Sequence, residues 1–229
     1  QVVGLKQNTI KPGRAASGMV ALEIKVENQK GETVLHFWRC PMIPCRDPDA
    51  KTGHDDDFGI MPAEITDEQL LAHVPDWHFA AYRARYPSAS EPLMVGQTLR
   101  VEAADTVTCA PELVRMTLNL AMTHTDATRS VYGKRLVYGG HTISIASKQL
   151  AMGLPHILQI LAWYRCDHVG PVFEGDILSS QITIKDTHKV QDATVAKLSV
   201  EVFAKRGPEA PSDLPDAKVL DWSLAALLP

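Results

Sequence analysis

The segment Thr194–Ala204 reads TVAKLSVEVFA, with Ala196, Leu198, Val200 and Val202 alternating with Lys197, Ser199 and Glu201. Successive side chains of a strand point to opposite faces, so this period of two specifies a strand with one apolar and one wet face. Such a strand needs neighbours, and the β-rich runs ILQILAWYRC and ILSSQITI precede it. It also needs cover. The stretch from about His141, ended by Gly153 and Pro155, supplies a helix of the right length to lie on the apolar face. Upstream, TLRVEAADTV is β-like, and APELVRMTLNLAM reads as a helix opened by Pro111 and Glu112. Residues 96–229 therefore predict an antiparallel sheet with a helix against it, an α+β domain.

The first part of the chain repeats the theme incompletely. QVVGLKQN reads as a strand, and in MVALEIKVE the residues Val20, Leu22, Ile24 and Val26 alternate with charges. The turn sequence NQKG joins that run to ETVLHFWRC, giving a hairpin over residues 1–47. A hairpin alone is marginally stable, so it must join a larger sheet. The absence of an initiator Met points to sequence preceding Gln1. Residues 48–95 turn to Pro, Asp, Gly and Ala and read as a linker. It carries one short helix, TDEQLLAHV, capped by Thr66 and interrupted by Pro75.

Composition narrows the function classes. The formal net charge is −4 with no run of Lys and Arg, which argues against nucleic acid or an anionic membrane surface as partner. No apolar run reaches the ~18 residues of a membrane span, and the N-terminus lacks the order of a signal peptide. Four scattered cysteines, Cys40, Cys45, Cys109 and Cys166, fit a reduced, cytoplasmic setting better than a disulfide framework. CPMIPC lacks a second cysteine pair for zinc, and GHDDDFG lacks a ligand pattern, so it reads as a solvated acidic loop. No P-loop, dinucleotide fingerprint or nucleophile elbow is present.

One stretch concentrates chemistry. In NLAMTHTDATRSVYGKRLVYGGHTISIAS, residues 119–147, Asn119 and His124 are five apart, about 140° around a helix, and share a site only if the helix breaks between them. Thr123 and Thr125 are poor helix formers, and Asp126 is a good cap for a new turn. Taken alone, His124 reads first as an ordinary loop histidine and only second as a catalytic one. The pair Gly139–Gly140 before a helix lets a backbone approach a ligand and aim free N–H groups at developing negative charge; a tight packed loop is the alternative.

Those residues carry a resemblance to the MaoC-like, R-specific enoyl-CoA hydratase family. NLAMTHTD lies in the register of its Asp-x-Asn-Pro-x-His-x-Asp signature, with Asn119 in the Asp place and His124 in the His place. VYGGHT lies over its His-Gly segment with Gly139 at the glycine, and GPVFEGDIL resembles its Pro-Val-x-x-Gly-Asp turn. VGLKQN, NQKGETVLHFWR, RLVYGGHTIS and VLDW are most similar to the mesaconyl-CoA hydratase (β-methylmalyl-CoA dehydratase) branch. The resemblance implies a double hotdog, each sheet wrapped around a helix. It makes residues 1–47 the remnant of an incomplete first hotdog and 96–229 the hotdog carrying the site. It also implies reversible hydration of an α,β-unsaturated acyl-CoA by a homo-oligomer.

Within that reading His124 does the acid/base work. Asn119 orients water, since an amide cannot accept the proton, and Gly139 or Gly140 N–H binds the oxyanion. The CoA thioester is substrate, and neither metal nor redox cofactor is expected. His141 is the reserve acid/base residue. A second substrate carboxylate would fall to Arg115, taken as one turn before Asn119 on the same helix, with Arg135 and Arg165 as alternatives. Asn119 in place of the family acid, and Ala121 and Met122 in place of Asn-Pro, call for an altered mechanism. They leave a thioesterase, a noncatalytic acyl-CoA binder and a structural subunit as competing readings.

Overall fold

A computed structural model describes residues 1–62 and 64–229. The chain divides into two compact units, Gln1–Glu64 and Ile65–Pro229.

The first unit is an antiparallel sheet of β1 (Val2–Gln7), β2 (Ser17–Glu27), β3 (Thr33–Arg39) and the short β4 (Met42–Pro44), with β1, β3 and β4 all paired to β2. The predicted hairpin forms because Asn28 Oδ1 accepts from the N–H groups of Lys30 and Glu32, while Gly31 takes the positive φ of 77° that closes the turn. The acidic loop does more than meet solvent. Asp56 accepts from the N–H of Leu5, Lys6 pairs with Asp55 at 2.8 Å, and the Gln7 N–H donates to the His54 carbonyl, so the loop occupies the free edge of β1. Val26 and Leu35 are opposed across the sheet and are 40% and 52% exposed. No α-helix covers that face among the described residues of this unit.

The second unit holds the long strands β7 (Gln159–His168), β8 (Ile177–Val190), β9 (Ala193–Lys205) and β10 (Ala217–Leu228). They form one antiparallel sheet with the short β5 (Thr98–Arg100) and β6 (Asp105–Thr106) against β8, in the order β5-β8-β9-β10-β7. TLRVEAADTV is thus two short pieces rather than one strand. Ala196, Leu198, Val200 and Val202 are fully buried, as the alternation required. They pack with Ala146 and Leu150 of helix α4 (Gly139–Gly153), which begins two residues before the predicted start. Burying each Val or Leu there contributes roughly 1.5–3 kcal/mol.

The opposite face of β9 and β10 is drier than the alternation implied. Val195, Ala225 and Leu227 are buried against Leu70 and Phe79. These come from helix α1 (Asp67–Leu71), with its Thr66–Gln69 capping box, and from the chain just before helix α2 (Ala80–Arg85). The segment expected as a linker over 48–95 therefore belongs partly to each unit, residues 48–64 to the first and 65–95 to the second. Its second half is a packed layer: Asp192 accepts from the Phe79 N–H and pairs with Arg83. No helix among the described residues is long and apolar enough to cross a membrane.

Candidate functional site

Helix α3 (Ala110–Met116) ends before Asn119, in a Schellman geometry. The Asn119 N–H donates to the Val114 carbonyl at 3.1 Å and the Leu118 N–H to that of Arg115 at 3.3 Å. Leu118, with φ of 53°, holds the left-handed position that glycine usually fills. This is the break that lets Asn119 and His124 share a connection. It also corrects the placement of Arg115: Asn119 is not on its helix, and Arg115 is exposed and paired with Glu112 at 3.1 Å. Arg135 pairs with Glu174, and Arg165 with Asp167 and Asp221.

Beyond the break the loop is held by its own polar groups. Asn119 Oδ1 accepts from the Ala121 N–H at 2.9 Å, and the Ala121 carbonyl accepts from the His124 N–H, closing a 3₁₀ turn over Met122–His124. Asp126 caps the following turn, Ala127–Arg129, as its position predicted. The turn is stitched to the strand-like approach to α4: the Leu136 N–H donates to the Thr123 carbonyl, and His124 Nδ1 lies 2.8 Å from the Leu136 carbonyl. A carbonyl only accepts, so Nδ1 carries a proton, and in the neutral ring the lone pair is on Nε2. The rings of His124 and Tyr138 are 5.7 Å apart.

The start of α4 is anchored from below. The Val137 N–H donates to the Val172 carbonyl within GPVFEGD. That turn is tied by Asp176, fully buried, which accepts from the N–H groups of Phe173 and Gly207 and pairs with Arg206 at 2.8 Å. Tyr138 provides no side-chain cap, and no acid lies in the first turn of α4. Among the described residues the Gly139 and Gly140 N–H groups have no protein acceptor, whereas the His141 N–H donates to the Tyr138 carbonyl. The positive end of the α4 dipole is thus open to an anion.

Neither Gly139 nor Gly140 has a positive φ. Their need for hydrogen in place of a side chain is steric. A Cβ on Gly139 would stand 2.5 Å from His168 Nε2, and one on Gly140 2.5 Å from the Tyr138 ring. His141 points elsewhere: its Nδ1 is buried without a partner, and the residue lines a groove of about 340 Å³ between α3 and α4 with Leu113, Met116, Ser144, Ile145 and Lys148. Burial holds the His141 pKa below the ordinary imidazole value, with Glu174 opposing. Among the described residues no group of three or more His, Cys, Asp or Glu side chains is placed to hold a metal ion.

A solved protein of Mycobacterium tuberculosis with a double hotdog fold is 40% identical to this chain and superposes with a TM-score of 0.80, over 99% of this chain and 67% of its own. The mesaconyl-CoA hydratase of Cereibacter sphaeroides is 30% identical over 217 residues, 91% of this chain. A MaoC domain dehydratase structure from Chloroflexus aurantiacus superposes at a TM-score of 0.80 with 24% identity, a likeness of fold. The chain belongs to the MaoC-like double-hotdog family. It spans 61% of the length of the Cereibacter relative. No family model matches the chain.

Membership accounts for the layout: α4 is the helix around which the second unit's sheet wraps, and the 119–138 segment runs to its N-terminus. Tyr138 and His168 are the site neighbours that sequence reasoning missed. His168 lies at the end of β7, 29 residues beyond Gly139, and only strand pairing brings it to the helix. Its signal was a histidine just before GPVFEGD, without meaning until the turn is folded.

Proposed function

We propose that the protein reversibly adds water across the C2–C3 double bond of an α,β-unsaturated acyl-CoA. The observation that carries this reading is the fixed tautomer of His124 beside the open N-terminus of α4. His124 Nε2 takes a proton from water as the oxygen bonds to C3. The C2–C3 π electrons move toward C1 and place charge on the thioester oxygen, where the Gly139 and Gly140 N–H groups receive it. The imidazolium then returns the proton to C2. Asn119 orients the water with its free amide N–H₂, its Oδ1 being held by Ala121. This route uses no metal or redox cofactor.

The finer substrate reading is a branched C4-dicarboxylic enoyl-CoA, supported by the name of the Cereibacter relative. Arg115, Arg135 and Arg165 each already hold a carboxylate, so the second substrate carboxylate would have to displace one of these partners. Mass spectrometry of enoyl-CoA and 3-hydroxyacyl-CoA esters incubated with the full-length protein tests both levels. Gain or loss of one water, fastest for the dicarboxylic ester, is expected. Release of free CoA instead would replace the hydratase with a thioesterase, and an unchanged panel would leave only binding.

A further inference from the structure

Gly139 is pressed by one particular group. The nearest atoms to a Cβ built on it are His168 Nε2, Cε1 and Cδ2, at 2.5, 2.7 and 3.1 Å. Cβ bonds in a helix tilt toward its N-terminus. The imidazole edge bearing Nε2 therefore lies at the mouth of α4, beside N–H groups that have no protein acceptor. His168 as a residue is exposed, and its ring packs against Gly139 through the Nε2 end. That packing lowers its pKa from the ordinary imidazole value, Asp167 opposing weakly, and the positive helix end acts in the same direction. Among the described residues neither ring nitrogen has a protein hydrogen-bond partner, so no protein group competes with a ligand for them.

We propose that His168 is a further catalytic residue of this site, a neutral imidazole whose Nε2–H donates to the thioester oxygen together with the backbone N–H groups at the start of α4. A neutral donor fits this role because it meets charge that develops on the oxygen without giving up a proton to it. The glycine at position 139 follows, since any side chain would displace the ring from the oxygen it serves. This proposal rests on the hydratase reading only in placing a thioester carbonyl there.

The test reads carbonyl polarisation apart from turnover. Cinnamoyl-CoA bound to the full-length protein should show a red-shifted ultraviolet absorption and a lowered C=O stretching frequency in difference Raman spectra. His168→Phe keeps a ring against Gly139 but removes the donor. It should lose most of both shifts, lower kcat about 10²-fold with KM changed little, and keep its melting temperature. His168→Gln, which restores an N–H, should recover part of the shift. Full shifts in a folded His168→Phe protein would overturn the proposal even if water addition is observed, and so would an unshifted spectrum of cinnamoyl-CoA bound to the wild type or no binding at all. Shifts that depend on His168 in a protein without hydratase activity would uphold the proposal and sink the hydratase reading.

Discussion

His124 Nδ1 lies 2.8 Å from the main-chain carbonyl of Leu136, and that one bond decides which nitrogen of the ring is free to act as a base. Since the bond is to backbone, no side-chain substitution removes it without removing the histidine. His124→Ala should lower turnover by on the order of 10²-fold or more with an unchanged circular dichroism spectrum. His124→Asn keeps a donor for Leu136 but no base and should be as inactive. Near-wild-type kinetics in either would take His124 out of the mechanism.

Gly139 at the start of α4 and Gly207 should respond differently to alanine. On Gly139 the added methyl meets the far end of the His168 side chain, which can swing away. Gly139→Ala should therefore lose activity with about 1 kcal/mol or less of stability. At Gly207 the methyl would overlap the carbonyl of Gly175, in a turn also bound to Asp176. Gly207→Ala should cost about 3 kcal/mol, read by urea unfolding. Equal losses of stability would mean that the His168 ring is as fixed as backbone.

Asp176 and Arg206 form an ion pair with side chains 0% and 10% exposed. Replacing either partner alone leaves a buried charge unpaired. Arg206→Met should destabilise by about 3–5 kcal/mol and loosen the GPVFEGD turn that holds Val137. A change below about 1 kcal/mol would show that the turn is held by its backbone bonds.

Much of this fold is legible in the sequence because period-two alternation and glycine–proline stops are local signals. Val200 and Val202 declare their burial, and Gly153 and Pro155 declare where α4 ends. The end of α3 is hidden because Leu118 occupies a left-handed position that sequence rules reserve for glycine, which also misplaced Arg115. Residues 65–95 read as a linker because their apolar groups, Leu70 and Phe79, are far apart in sequence. Their shared role appears only once β9 and β10 offer Val195 and Leu227. At the site, Asn119, His124 and the glycines stand within one stretch. His168 joins them through tertiary structure that no local pattern encodes.

Two histidines near α4 set a pH dependence of stability. His141 and His168 both have folded pKa values lowered from 6.5 by burial, against Glu174 and Asp167 respectively. A depressed pKa means that the unfolded chain binds protons first. The stability is therefore fully present above about pH 6.5 and is lost as pH falls through the folded values. Melting temperature should fall as pH is lowered below about 6.5, and His141→Gln with His168→Phe together should flatten that slope. An unchanged slope would assign it to other groups.

The central claim is that His124 adds water at C3 of an enoyl thioester. Crotonyl-CoA and a branched C4-dicarboxylic enoyl-CoA, incubated in H₂¹⁸O with the full-length wild-type protein and with His124→Ala, test it most directly. The wild type should give a 3-hydroxyacyl-CoA with one ¹⁸O at C3 and no free CoA, and the variant should form it on the order of 10²-fold more slowly. Label appearing in a released carboxylate, or equal labelling by the His124→Ala protein, would contradict it.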